Sequence, residues 1–138
     1  MLLPRPGVAA CGLLDFQDAV IAPIAFDLVS LLEDVRRDVP ADLATAMKAR
    51  YLAAFPALDR ARFETSYAAI GAQRNTRIIG VFTRLMVRDK KPRYLAMIPR
   101  VWRLLEGDLA HPAMAPVRAW MDRNLPQTRR IIPPVGSA

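Results

Sequence analysis

The chain has 138 residues, 53% of them hydrophobic, with 20 lysines and arginines against 13 aspartates and glutamates for a formal net charge of +7. That size and apolar content suit one globular unit with a real core. The lone cysteine excludes an intrachain disulfide, and the lone histidine leaves a zinc site or a Ser-His-Asp arrangement without partners. No apolar run reaches the roughly 18 residues of a membrane span, and Pro4, Arg5 and Pro6 replace the apolar core of a secretory signal. No membrane partner is expected, and a reducing cytoplasm is the simplest compartment.

The charge is unevenly distributed. From Asp15 to Asp38 the acids Asp15, Asp18, Asp27, Glu33, Asp34 and Asp38 face only Arg36 and Arg37. From Arg74 to Arg103 the bases Arg74, Arg77, Arg84, Arg88, Lys90, Lys91, Arg93, Arg100 and Arg103 face only Asp89. Such a stretch suits an anionic small molecule or an ordinary solvated helix surface. Without a reading motif beside it, nucleic acid is not an expected partner.

In chain order, Met1 to Leu3, a turn at Pro4 to Gly7, and Gly12 to Phe16 predict a β-hairpin whose second strand delivers Asp15 at its end. Cys11 falls in this apolar stretch and is expected in the core. Leu28, Leu31, Leu32 and Val35 repeat at i, i+3, i+4 and i+7, which predicts a helix with Glu33, Asp34, Arg36 and Arg37 on its other faces. A second helix is predicted from about Pro40 to Pro56, burying Leu43, Met47, Tyr51, Ala54 and Phe55. A third and longest helix runs from about Asp59 to Val87 on Phe63, Tyr67, Ile70, Ile78, Val81 and Leu85. Gly71 and Gly80 each weaken it by roughly 1 kcal/mol relative to alanine, so close approach of a neighbour is their expected benefit.

After a polar loop, Leu95, Ile98, Val101, Trp102 and Leu105 predict a fourth helix ending near Gly107. His111 and Pro112 then mark a turn, which makes that histidine structural. Met114, Val117, Trp120 and Met121 form the last apolar stripe, and both tryptophans are expected in the core. The domain is expected to span residues 1–126, with 127–138 as a flexible tail. The expected fold class is mainly α with a short N-terminal hairpin, and an isolated hairpin of that kind must pack on the helices or join a larger sheet.

One segment carries a chemical signal. A carboxylate at a strand terminus, as at Asp15, suits a hard cation held against phosphate oxygens, although aspartate is also a common turn residue there. The glycines are scattered, and no Gly-rich phosphate cradle is present.

Gly12-Leu13-Leu14-Asp15-Phe16-Gln17-Asp18-Ala19, with Pro23 and Ala25-Phe26-Asp27-Leu28-Val29-Ser30-Leu31-Leu32, resembles the aminoglycoside phosphotransferase family, whose fold is that of protein kinases. Gly71-Ala72-Gln73-Arg74-Asn75, Gly80-Val81-Phe82, Arg88 to Leu95 and Pro99-Arg100-Val101-Trp102 are similar to one branch, the bacterial amino-sugar anomeric kinases of cell-wall recycling. The resemblance implies the C-terminal helical lobe of that fold. It implies that Asp15 holds Mg²⁺ on the ATP phosphates and that Asp27 braces the catalytic loop. Phe16-Gln17 stands where kinases have Phe-Gly. Asp18, Arg74, Asn75 and Arg88 are then candidates for contacting the amino sugar, the arginines through a carboxylate and Asn75 through a hydroxyl.

The same resemblance implies that the nucleotide lobe and the catalytic loop, of pattern H-x-D-x-x-x-x-N, are not in this sequence. No catalytic residue is expected in the chain, which should bind ATP and Mg²⁺ poorly and be inactive alone. The partner expected is a complementing N-terminal half, or a second copy through self-association. The alternative is a non-catalytic helical module that binds a partner.

Overall fold

The computed structural model describes residues 4–12 and 19–132. Five α-helices occupy the described residues: α1 (Phe26–Leu32), α2 (Ala41–Ala54), α3 (Arg60–Asp89), α4 (Ile98–Leu109) and α5 (Ala115–Asn124). No strand occurs among the described residues. The mainly helical expectation therefore holds. The expected strands at Met1–Leu3 and in 13–16 lie outside the described residues, as do Asp15 and Asp18, and between them Gly7–Ala10 forms a 3-10 turn that opens on Gly7 at φ 61.

Local chemistry sets the helix ends. Pro40 precedes the first turn of α2, and Asp59 caps α3 by accepting from the Arg62 amide at 3.1 Å. α3 closes on Lys90 in the left-handed region (φ 53), which lets the Lys90 amide reach the Met86 carbonyl and the Lys91 amide reach that of Leu85. Pro99 opens α4 and Pro116 opens α5, each in the first turn, where a missing N–H costs nothing. No helix among the described residues is long and apolar enough to cross a membrane.

α3, about 45 Å long at ~1.5 Å per residue, is the spine. Its N-terminal half buries Phe63 and Tyr67 against Leu28, Val29 and Leu32 of α1 and Leu52 of α2. Its C-terminal half buries Phe82, with Ala68 and Ala72 nearer its middle, against Ile98, Val101, Trp102, Leu105 and Leu109 of α4 and Met121 of α5. Two apolar clusters thus meet near the middle of α3. The seam between them is where polar side chains enter the interior.

Several expected core residues lie outside both clusters. Leu31 (64% exposed), Leu43, Phe55, Val117 and Trp120 (52%) face outward, and Cys11 is exposed rather than in the core. α2 buries Leu52 and half-buries Met47 and Tyr51 against the cluster, Tyr51 stacking on Phe63 of α3, while Leu43 and Phe55 stay uncovered. α5 likewise buries Met121 while Val117 and Trp120 remain outside. Glu33 goes the other way. Expected on a solvated face, it is buried.

Beyond α5, Gln127–Arg129 form a 3-10 turn, and Arg130 pairs with Asp122 and with Glu106 at 3.5 Å while donating to the Leu125 carbonyl at 2.9 Å. His111 caps the 3-10 turn Pro112–Met114 by accepting from the Ala113 amide, in line with its structural reading.

Candidate functional site: a cleft floored by two carboxyls

The segment joining α1 to α2, together with α2, α3 and α4, encloses a cleft of about 620 Å³. A volume of that order suits a small molecule. Glu33 and Asp108 line it from the seam, Lys48 and Glu64 stand on opposing walls, Tyr67 lies beneath Lys48, and Arg103 occupies the α4 rim.

The floor is built from three buried side chains. Asn75 donates through Nδ2 to Glu33 Oε2 at 2.8 Å and to Asp108 Oδ2 at 2.9 Å. Each comes from a different place: Glu33 from the end of α1, where the backbone leaves the helix, Asn75 from the middle of α3, and Asp108 from the last turn of α4. Gly71, one turn before Asn75, makes the approach possible, because a Cβ there would lie 2.2 Å from Asp108 Oδ1. Arg74 fixes the far side by donating from Nη1 to the Glu33 carbonyl at 3.1 Å. Gly71, Arg74 and Asn75, at i, i+3 and i+4, form one stripe of α3 turned to the end of α1 and to α4.

Burial dominates the electrostatics. It pushes the Asp108 carboxyl up to about 8, helped by the negative charge of Glu33, and it raises Glu33 as well. The Tyr67 hydroxyl is raised by burial and then by Glu33, so it stays protonated. At neutral pH the Glu33–Asp108 pair therefore holds a proton. Lys48 Nζ sits 3.0 Å from Glu64 Oε2 and 3.8 Å from the Tyr67 ring centre, which commits that cation to the wall. Asn75 Oδ1 has no hydrogen-bond partner among the described residues.

That proton has a measurable sign. An unfolded aspartate releases its proton near pH 4 and the folded one near 8, so between those values the folded chain binds the extra proton and stability falls as pH rises. Asp108→Asn mimics the protonated carboxyl. It is expected to flatten the slope of stability between pH 4.5 and 8 and to exceed the parent chain at pH 8 by on the order of a few kcal/mol. Urea unfolding across that range measures it, and parallel slopes for the two proteins would contradict the assignment.

Of the residues singled out in the sequence, Arg74 and Asn75 come together at this floor, Asn75 fully buried and spending its amide on two carboxyls. Arg88 does not join them. It lies about 20 Å further along α3 at ~1.5 Å per residue and pairs with its neighbour Asp89 at 2.6 Å. Asp27 is exposed in the first turn of α1, where a negative charge complements the helix dipole. Glu33, Asp108, Lys48 and Arg103 were not identified as site residues. The one sign of them in the sequence was Gly71, an expensive residue in a helix interior.

The cleft thus offers carboxyl oxygens on its floor, the Arg103 guanidinium at its rim and an otherwise mainly apolar wall of Leu32, Val39, Ala44 and Leu104. No group of three or more His, Cys, Asp or Glu among the described residues is placed to hold a metal ion.

Residues 5–63 match the model of the phosphotransferase enzyme family. The chain is 51% identical over 127 residues to an N-acetylmuramate/N-acetylglucosamine kinase of Caulobacter vibrioides, covering 91% of this chain and 35% of that protein. It is 37% identical over 115 residues to the kinase of the same name from Pseudomonas aeruginosa, covering 78% of this chain and 32% of the relative. A third, from Neisseria meningitidis, is 38% identical over 104 residues, 70% of this chain and 29% of that protein. The chain spans about a third of the length of the relatives it matches.

Proposed function

We propose that the chain belongs to the phosphotransferase enzyme family, its helices fitting the C-terminal helical lobe of that kinase-like fold, and that it is the sugar-binding part of an ATP-dependent amino-sugar kinase of cell-wall recycling. The observation that carries this reading is the similarity to N-acetylmuramate/N-acetylglucosamine kinases over nearly the whole chain, including every element that walls the cleft. In this reading the cleft holds the sugar. Glu33 and Asp108 bind its hydroxyls, one accepting and the other, protonated, able to donate, which is the pairing that vicinal hydroxyls require.

ATP and Mg²⁺ belong to the complete enzyme. The described residues do not by themselves make a metal site, so no step through Mg²⁺ is assigned to them. Asp15 is proposed as one ligand, with the others and the base that takes the sugar proton supplied from outside this chain. Asp27 would brace the catalytic loop from the start of α1, and Asp18 would lie toward the sugar. The chain would act in the cytoplasm, where activated sugars and ATP meet.

Titration of the labelled chain with N-acetylglucosamine tests the location of the sugar. Amide shifts are expected at Lys48, Tyr67, Arg103 and Asp108. Shifts confined to the C-terminal end of α3, near Arg88, would overturn the assignment to this cleft.

A further inference from the structure

The cleft holds several cations, and they are not equivalent. Lys48 is bound to Glu64 and covered by the Tyr67 ring. Arg100, one turn before Leu104, pairs with Asp38, and Asp34 is taken by Arg36 at 3.1 Å. His111 spends Nδ1 on the Ala113 amide. Arg103 lines both the main cleft and the smaller cavity of about 230 Å³ beside it, yet makes no ion pair or hydrogen bond among the described residues. The acids that share these cavities are already committed: Glu33 and Asp108 to Asn75, Asp34 to Arg36, Asp38 to Arg100, and Glu64 to Lys48.

We infer that Arg103 is the specificity-determining residue of the cleft, receiving the carboxylate of an acidic amino sugar whose hydroxyls rest on Glu33 and Asp108. This rests on the reading of the cleft as the sugar site. Arg103 and Asp108 stand five residues apart on α4 and border the same cleft, Arg103 from its exposed rim and Asp108 from its buried floor. Between them Gly107 contributes no side chain, and a Cβ at Gly107 would meet nothing within 4 Å, so the path from floor to rim is open. A planar guanidinium also matches a carboxylate with two parallel hydrogen bonds, which an ammonium such as Lys48 does not offer. Because Arg103 is exposed, it gives up little hydration before the ligand arrives and loses no internal partner on binding.

N-acetylmuramate carries such a carboxylate and N-acetylglucosamine does not. Binding of each to the full chain, by calorimetry or amide shifts, is therefore compared for the parent, Arg103→Gln and Arg100→Gln. The parent is expected to prefer N-acetylmuramate by about tenfold or more, the size of one charge-assisted pair. Arg103→Gln should remove that preference by weakening N-acetylmuramate alone, and Arg100→Gln should retain it. Raising salt should erode the preference and leave N-acetylglucosamine binding unchanged. A preference that survives Arg103→Gln, or equal weakening of both sugars, would overturn the role of Arg103 while leaving the cleft as the sugar site. Failure of the parent to bind either sugar would overturn the sugar reading and this inference with it.

Discussion

Purified alone, the chain is expected to transfer no phosphate from ATP to N-acetylmuramate or N-acetylglucosamine, and activity should appear only when the remaining part of a closely related kinase is added. Phosphoryl transfer depends on parts acting together: a nucleotide cradle, metal ions on the phosphates, a base for the attacking hydroxyl and correct alignment. The chain spans about a third of its relatives, and its described residues supply a cleft but no metal-binding set. Its surface is suited to such a partner. Val20 (78% exposed), Ile21 and Leu31 (64%) present apolar side chains along the entry to α1 and on its outer face, and covering each contributes about 1.5–3 kcal/mol. A coupled assay on the chain, on the complementing part and on their mixture measures the effect. Turnover is expected in the mixture alone, because aligned acid-base and electrostatic contributions are restored together. Turnover by the chain alone would overturn the expectation. Silence in the mixture, with both parts folded, would favour a helical module that binds a partner without catalysis.

The spine and its main partner were legible in the sequence because their apolar residues repeat at the helical period. Ile98, Val101, Trp102 and Leu105 were read as one buried stripe of α4, and they are one. Periodicity reports which side of a helix is apolar, but not whether a neighbour covers it. That is why Leu43 and Phe55 of α2, and Val117 and Trp120 of α5, are exposed although their stripes are regular. Which residues of a stripe find a neighbour depends on how helices cross, which no single segment encodes. The site floor was illegible for a related reason. Glu33 follows an apolar stripe and looks like its solvated flank, and Asp108 lies just past Gly107, where the helix was expected to stop. Only the crossing of α3 with α4 and with the end of α1 brings the two carboxyls to one amide. Asn75 is a candidate from its placement in a segment that carries the family resemblance. Its partners are not.

Gly71 is the residue through which that arrangement can be tested, and Gly71→Ala is expected to destabilise the fold by about 2–3 kcal/mol. In a solvated helix the same change stabilises by roughly 1 kcal/mol, since glycine is the poorer helix former. Here the new methyl would lie 2.2 Å from Asp108 Oδ1, 2.6 Å from Cγ and 2.7 Å from Oδ2, all too close to persist. The carboxyl is not a loose end that swings away at little cost, because it is buried and held by Asn75 at 2.9 Å. Either α4 moves off α3, loosening the contacts of Leu105 and Leu109, or Asp108 rotates and leaves the Asn75 amide short of a partner. Gly80 provides the control within the same helix. It is exposed, a Cβ there meets nothing within 4 Å, and Gly80→Ala should raise stability. Opposite signs for one substitution at two positions of α3 separate packing from propensity. Equal effects would mean that α4 does not approach α3 this closely at Asp108. A further variant identifies the clashing partner: with Asp108→Ala already present, Gly71→Ala should lose most of its cost, so the two changes combine to well under the sum of their separate effects.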